Sequence, residues 1–209
     1  MPLQNRVSPN GTIESTPARG LMMGNRGGCL HDAETRTLCG RRWVSQRWIA
    51  CVTQFRGRKR TLMAANRYTE LFFLDEVTAL AAGHRPCFEC RRSDAKAYAA
   101  AFPAGPLPAD AMDKVLHRER CVSGGPRPEI GRDAVAALPP GSMVAQDDTF
   151  YAVGPEGLLR WQFDGYRPPD RTAVDGVLSG GNMRLLTPPS TVAALRRGFA
   201  PLFHGSAGA

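Results

Sequence analysis

Hydrophobic and polar positions fall into short blocks whose spacing changes twice along the chain. Residues 42–55 are dense in aromatic and β-branched side chains and predict a strand. The basic run at 56–60 then predicts a hairpin turn, with a return strand beginning at 61–63. Residues 68–74 predict another strand, after which a helical spacing takes over. Asp75 is placed to cap a two-turn helix over 76–82, and Gly83 to stop it. Ser93 caps a second helix that ends at Pro103; a third begins at Asp110, with Met112, Val115 and Leu116 on one face. From 141 to 163 the pattern turns to β-structure. Segments 143–145, 150–153 and 158–161 are separated by Asp147-Asp148 and by residues 154–157, and they predict a β-meander. Residues 164–182 are loop-like, and a closing helix runs from Ser190 to Gly198. The first 28 residues are rich in turn formers and predict little regular structure.

The pattern Val-x-Ala-Leu-x-x-Gly-x-x-Pro-x-Phe occurs twice, from Val77 to Phe88 and from Val192 to Phe203. Both copies describe a short helix, a glycine stop and a proline that keeps the chain from re-entering helix. The second copy lacks cysteines, so the echo reads as two solutions to one capping problem.

Composition narrows the class. Of 209 residues, 43% are hydrophobic and 22% charged, which suits a globular chain; 22 Gly and 17 Pro fit many short elements rather than a long helical bundle. No apolar run approaches the roughly 18 residues of a membrane span, and the N-terminus lacks the apolar stretch of a signal peptide. A soluble, cytoplasmic protein with no membrane partner is expected. The net charge of +8 is concentrated: residues 19–67 hold eleven Lys or Arg against Asp32 and Glu34. Such a field favours a polyanion, and nucleic acid is the commonest one; the alternative is a solvated basic surface.

Six cysteines, at 29, 39, 51, 87, 90 and 121, fit metal ligation or buried thiols better than disulfides in that compartment. Cys87 and Cys90 stand at i and i+3 just past a helix stop, on a turn fixed by Pro86. This spacing points two thiolates at one ion, and Arg85, Arg91 and Arg92 favour the thiolate form. A redox pair is the alternative, although no βαβ pattern surrounds it. A structural zinc takes four ligands. His31, with Asp32 behind it, and Cys51, on the strand face of Ile49, Thr53 and Phe55, are the expected partners. Each has a plainer reading, as a loop histidine and a buried strand thiol. Cys29, Cys39, His117 and Cys121 are further candidates, whereas His84 is too close to Cys87 in sequence to join it comfortably.

The stretch from Phe73 through Asp75, Gly83, Arg85-Pro86-Cys87 to Cys90 resembles the metal-binding module of the Ada DNA-repair protein; similar modules are appended to some bacterial nucleases. In that family a strand feeds a short Ala-rich helix, then Gly, an aromatic, Arg-Pro-Cys, two residues and Cys. The resemblance covers about 20 residues and implies zinc-stabilised contact with DNA. Two departures stand out. His84 replaces the aromatic, and no close upstream ligand pair exists, since Cys51 lies 36 residues before Cys87. The methyl-accepting cysteine of Ada therefore has no counterpart here. The whole chain has the character of a bacterial protein with such a module embedded.

Catalytic constellations are weaker. Asp113 and His117 form an i, i+4 pair, and Glu70 lies in a hydrophobic strand; any of the three would serve a hydrolytic enzyme, a nuclease or glycosylase, as acid or base. The plainer readings, which the pattern favours, are a solvated helix face, with Asp113 in the capping box of Asp110, and an edge or outward-facing glutamate. There is no Ser-His-Asp set, Walker motif or dinucleotide fingerprint. The expectation is one α+β domain over residues 1–209, with a zinc-bearing ββα-like core in about 20–102, central helices, and a small C-terminal β-meander within 103–209. Its expected function is binding of zinc and nucleic acid, with DNA favoured, in repair or processing. Arg41, Arg42, Arg47, Arg58, Lys59 and Arg60 would meet phosphates, with Trp43 and Trp48 either as stacking surfaces or, equally, as core. The rivals are the hydrolytic enzyme and a zinc-stabilised protein-interaction module.

Overall fold

A computed structural model describes residues 1–59, 61–103, 105–125, 127–167 and 183–208. They form an α+β structure with two six-stranded sheets and five α-helices. The first sheet runs in the order β2 (Ile13–Ser15), β1 (Gln4–Val7), β5 (Leu71–Phe73), β3 (Met22–Asn25), β4 (Ile49–Val52), β6 (Arg85–Pro86). Its β1–β5 and β4–β6 pairs are parallel and the rest antiparallel. The second runs β11 (Gly165–Arg167), β10 (Gly157–Gln162), β9 (Thr149–Gly154), β8 (Met143–Gln146), β12 (Met183–Leu185), β7 (Glu129–Ile130), all antiparallel.

Helix α1 (Glu76–Ala81) lies where three hydrophobic clusters meet, and all six of its residues are buried. Asp75 starts it by accepting hydrogen bonds from the backbone N–H and hydroxyl of Thr78, both at 2.8 Å. Leu80 packs among Tyr98 and Phe102, Met112 and Leu116, and Leu195, from α2 (Arg92–Ala101), α3 (Ala109–Glu119), α5 (Pro189–Arg196) and their ends. Val77 and Ala81 meet Met143, Ala152 and Trp161 of the second sheet, while Ala79 and Ala82 meet Met22, Leu71 and Phe73 of the first. The short α4 (Arg132–Ala136) contributes Val135 to a cluster on the second sheet.

Buried acids tie this hub to distant segments. Glu76 takes a two-pronged pair from Arg91 at 2.7 and 2.8 Å and accepts the Leu202 N–H. Asp75 Oδ2 accepts from the Tyr166 hydroxyl and the His204 N–H. Each carboxylate replaces the hydration lost on burial with protein donors.

Both copies of the sequence echo end in the same turn. His84 N–H donates to Ala79 O and Gly83 N–H to Leu80 O; Phe199 N–H donates to Ala194 O and Gly198 N–H to Leu195 O. This paired bonding is the Schellman closure of a helix. Gly83 is required twice over, by its φ of +84° and because a Cβ there would come within 2.4 Å of the Arg120 side chain.

Several expectations are corrected. The first 28 residues hold three strands, because β1 and β3 find their partners in β4 and β5, far along the chain. The strand expected over 42–55 is reduced to Ile49–Val52. Among the described residues no return strand pairs with β4 after 56–59, since β4 is flanked by β3 and β6 and offers no edge to residues 61–63. Helix α2 begins at Arg92 without a side-chain cap, and α5 begins at Pro189, the Ser190 hydroxyl being held by Glu119. Residues 165–167 form a strand rather than a loop, and 168–182 lie outside the described residues. No helix among the described residues is long and apolar enough to cross a membrane.

Candidate metal centre

The parallel pairing of β4 and β6 sets Ala50 beside Pro86, and the Cys87 N–H donates to Ala50 O at 3.0 Å. Cys51, the next residue of β4, and Cys87, the first residue past β6, are thereby brought abreast. The turn after β6 then folds back, with the Arg91 N–H donating to Cys87 O, and Cys90 returns to the same place. The three sulfurs of Cys51, Cys87 and Cys90 lie within 4.8 Å of one another. They occupy the sheet face of Met23, Ile49 and Phe72, opposite the face that packs on α1.

The electrostatics of the group suit a cation. Without a metal ion, the Cys51 thiol donates toward Cys87 and Cys90, and this holds both below the ordinary thiol range. Backbone N–H groups add to the effect, that of Glu89 reaching Cys87 Sγ at 3.4 Å. Cys51 is pushed up by those same hydrogen bonds and by burial. Three sulfurs competing for protons in one small volume form a set that a divalent ion satisfies by replacing the protons.

His31 does not join them. Its ring is fully occupied elsewhere: Nδ1 is 2.6 Å from the Thr69 hydroxyl and Nε2 is 3.3 Å from the Ala64 carbonyl. Because the carbonyl only accepts, Nε2 carries the proton, and the Nδ1 lone pair takes the Thr69 hydroxyl hydrogen. Neither nitrogen has a lone pair left for a metal. The histidine instead fastens the 29–39 loop to residues 64–69, and Cys29 Sγ lies 3.6 Å from its Nδ1. Among the described residues no further His, Cys, Asp or Glu completes the three-sulfur group. Cys87 also lines a cavity of about 590 Å³ with Arg47, Tyr68, Arg85 and Phe88.

No family model, no curated protein and no solved structure matches this chain. The geometry alone carries the reading.

The basic residues are dispersed rather than gathered on a hairpin. Arg47 is exposed and makes a two-pronged contact with Asp110, both bonds 3.0 Å. Arg58 pairs with Glu89, inside the Cys87–Cys90 turn, at 2.9 Å. Lys59 is exposed and lines a small cavity with Arg58 and Arg67; Arg60 lies outside the described residues. Arg41 and Arg42 are exposed on the loop before β4. Trp48 is wholly buried, stacked against the guanidinium groups of Arg26 and Arg120 at 4.2 and 4.3 Å, so it offers no surface to a base. Trp43 is half-buried, 5.8 Å from the His117 ring.

The proposed acids and bases are also committed to structure. Asp113 is buried and takes both prongs of Arg85, at 3.0 and 2.7 Å. Burial raises its carboxyl above the ordinary range, and the Arg85 hydrogen bonds oppose the rise. His117 Nδ1 lies 3.2 Å from the Ser123 hydroxyl, and buried Glu70 accepts the Met63 N–H. Sequence reasoning missed the burial of Arg26, Arg85, Arg91 and Arg120. A guanidinium in the primary sequence carries no local sign of burial, although Gly83, beside which Arg120 packs, is such a sign in retrospect.

Proposed function

We propose that the protein binds one zinc ion through Cys51, Cys87 and Cys90, as a structural cross-link, and presents the adjoining basic loop to nucleic acid. The observation that carries the metal reading is the convergence of three thiols on one point, two of them held below the ordinary thiol range by the third. All-sulfur donors suit zinc over magnesium or calcium, which take oxygen. The fourth position falls to water, an outside ligand or a group beyond the described residues. A structural role suits the place, because the ion would join β4 to the turn after β6.

The nucleic-acid reading rests on the positive field of residues 19–67 and on the Arg58–Glu89 contact, which fastens the basic loop to the metal turn. Arg41, Arg42, Arg47, Arg58, Lys59 and Arg60 would supply phosphate contacts. The resemblance of residues 73–90 to the Ada metal-binding module points the same way, and DNA repair or processing is the process it suggests.

Two measurements test the parts separately. Elemental analysis of untagged protein should give about one zinc per chain. Cys51→Ala and Cys87→Ala should lose it, and His31→Ala should keep it. Metal-free protein with Cys87 and Cys90 in a disulfide would refute the zinc reading. For nucleic acid, log affinity should fall with log salt. Replacing Arg58, Lys59 and Arg60 together with Ser should flatten that slope by up to about 0.9 for each phosphate no longer neutralised. A parent protein that binds neither DNA nor RNA at low salt removes that half of the proposal.

A further inference from the structure

A cavity of about 370 Å³ lies between the β1–β2 turn and the loop before β4, lined by Arg26, Arg41 and Arg42. Arg41 and Arg42 are exposed, and no carboxylate among the described residues forms an ion pair with either. Arg26 is buried. Its Nη2 donates to Gly11 O at 2.8 Å and its Nη1 to Arg42 O at 3.3 Å, while its Nε has no partner among the described residues. It too lacks a described carboxylate.

The other buried arginines show how unusual that is. Arg85 faces Asp113, Arg91 faces Glu76, and Arg120 has Asp113 at 3.9 Å. A buried cation with no counter-charge is costly. Burial, followed by the neighbouring charges of Arg120 and Arg42, pushes Arg26 down to about 9. The turn that holds it is built for close approach. Gly11 has a φ of +89°, and a Cβ there would strike Val122 at 2.2 Å and sit 3.6 Å from Arg26 Nη2.

We propose that this cavity is a binding site for a phosphate-class oxyanion, gripped by Arg41 and Arg42 at the rim and neutralising the buried charge of Arg26. Guanidinium groups match tetrahedral oxyanions through paired N–H donors, which distinguishes such a site from one for halide. The anion is either a free phosphate or small phosphate ester, or the phosphodiester of a nucleic acid strand. Both present the same oxygens. The proposal does not rest on the zinc or the basic loop at 56–60.

The test is a titration of inorganic phosphate into the full chain at low ionic strength, read by calorimetry and by tryptophan fluorescence, since Trp48 stacks on Arg26. One saturable site is expected, with sulfate competing and chloride far weaker. Arg41→Gln and Arg42→Gln should each weaken binding about tenfold, the worth of one charge-assisted hydrogen bond. Zinc content and phosphate-free thermal stability should stay as in the parent. A short oligonucleotide that displaces phosphate identifies the phosphodiester as the natural source; failure to displace it identifies a free phosphate or small ester. The Ser triple variant at 58–60 should bind phosphate normally, which separates this site from the 58–60 loop of the nucleic-acid reading, with which it shares Arg41 and Arg42. Absence of saturable phosphate binding in the parent overturns the proposal, as does binding that neither glutamine variant alters.

Discussion

In the second sheet, β8, β9 and β10 each pair with the next strand in sequence, across two-residue turns at 147–148, 155–156 and 163–164. In the first sheet, among described pairings, β1–β2 alone resembles this; β1 waits for β5, and β4 for β6. Early, cheap loop closure builds one sheet, whereas the other must overcome the entropy of long connections. The interactions differ accordingly. The meander is held by side chains such as Met143, Ala152 and Trp161 packed on α1. The first sheet and its loops carry the three-thiol group, the His31–Thr69 link and the Trp48–arginine stack. Polar and ionic devices thus gather where the chain's own topology gives least help.

The strongest way to break this contrast is to remove the metal proposed for the three-thiol group. With the proposed ion at the three-thiol group, chelation, or Cys51→Ala, should lower the thermal midpoint by about 10 °C or more, because the binding free energy of a structural metal adds to folding free energy. Hydrogen exchange should become faster first in β4 and β6, with β8–β10 affected last. Equal acceleration throughout would mean that the two sheets are not separately held.

A core truncation probes the other side. Trp161 is buried, contacts Phe150 and Phe163, and donates from Nε1 to Thr78 Oγ1 at 3.0 Å. Trp161→Ala should cost about 3–5 kcal/mol in denaturant unfolding while zinc content is retained. A zinc-depleted variant would show that the meander supports the metal centre directly.

The smallest effect concerns a single ring in the first sheet. His84 is buried against Trp48 and Phe73, and neither ring nitrogen has a well-formed partner among the described residues. Burial, then Arg26 and Arg120, hold it well below the ordinary 6.5, against the opposing pull of the Ala79 and Ala82 carbonyls. The folded chain therefore keeps it neutral, and the unfolded chain takes up the proton. Its contribution is intact above pH 6.5 and is lost as pH falls below that, by at most about 1.4 kcal/mol per unit. His84→Phe should remove that part of the acid sensitivity; unfolding curves of the two proteins at pH 7 and pH 5 provide the check.

The same division explains what the sequence discloses. Segments 143–145, 150–153 and 158–161 fall inside observed strands because their pairing is local and their turns are written beside them. Asp75 and Gly83 announce α1 for the same reason. Cys87 and Cys90 are legible from spacing, and Cys51 from the alternation that sets it with Ile49. His31 misleads because the hydroxyl that occupies its ring belongs to Thr69, 38 positions away. The N-terminal strands are hidden for a similar reason, as Arg6 pairs with Phe72. The local alphabet describes hairpins and caps well; it is silent about which distant carboxylate or hydroxyl will meet a buried cation or imidazole.

The position of α1 has a consequence for anyone who would divide the molecule. It serves both sheets at once, Val77 and Ala81 facing the second and Ala79 the first, and its capping Asp75 and first residue Glu76 are completed from outside the helix by Tyr166 and by the main chain at Leu202 and His204. Severing the chain between the sheets would leave a naked apolar peg in one fragment and an empty socket in the other. Trimming the far end past Leu202 would strip Asp75 and Glu76 of donors that reach them from the opposite end of the sequence. Fragments should therefore regain structure only on recombination, with the last turn of chain acting as the latch.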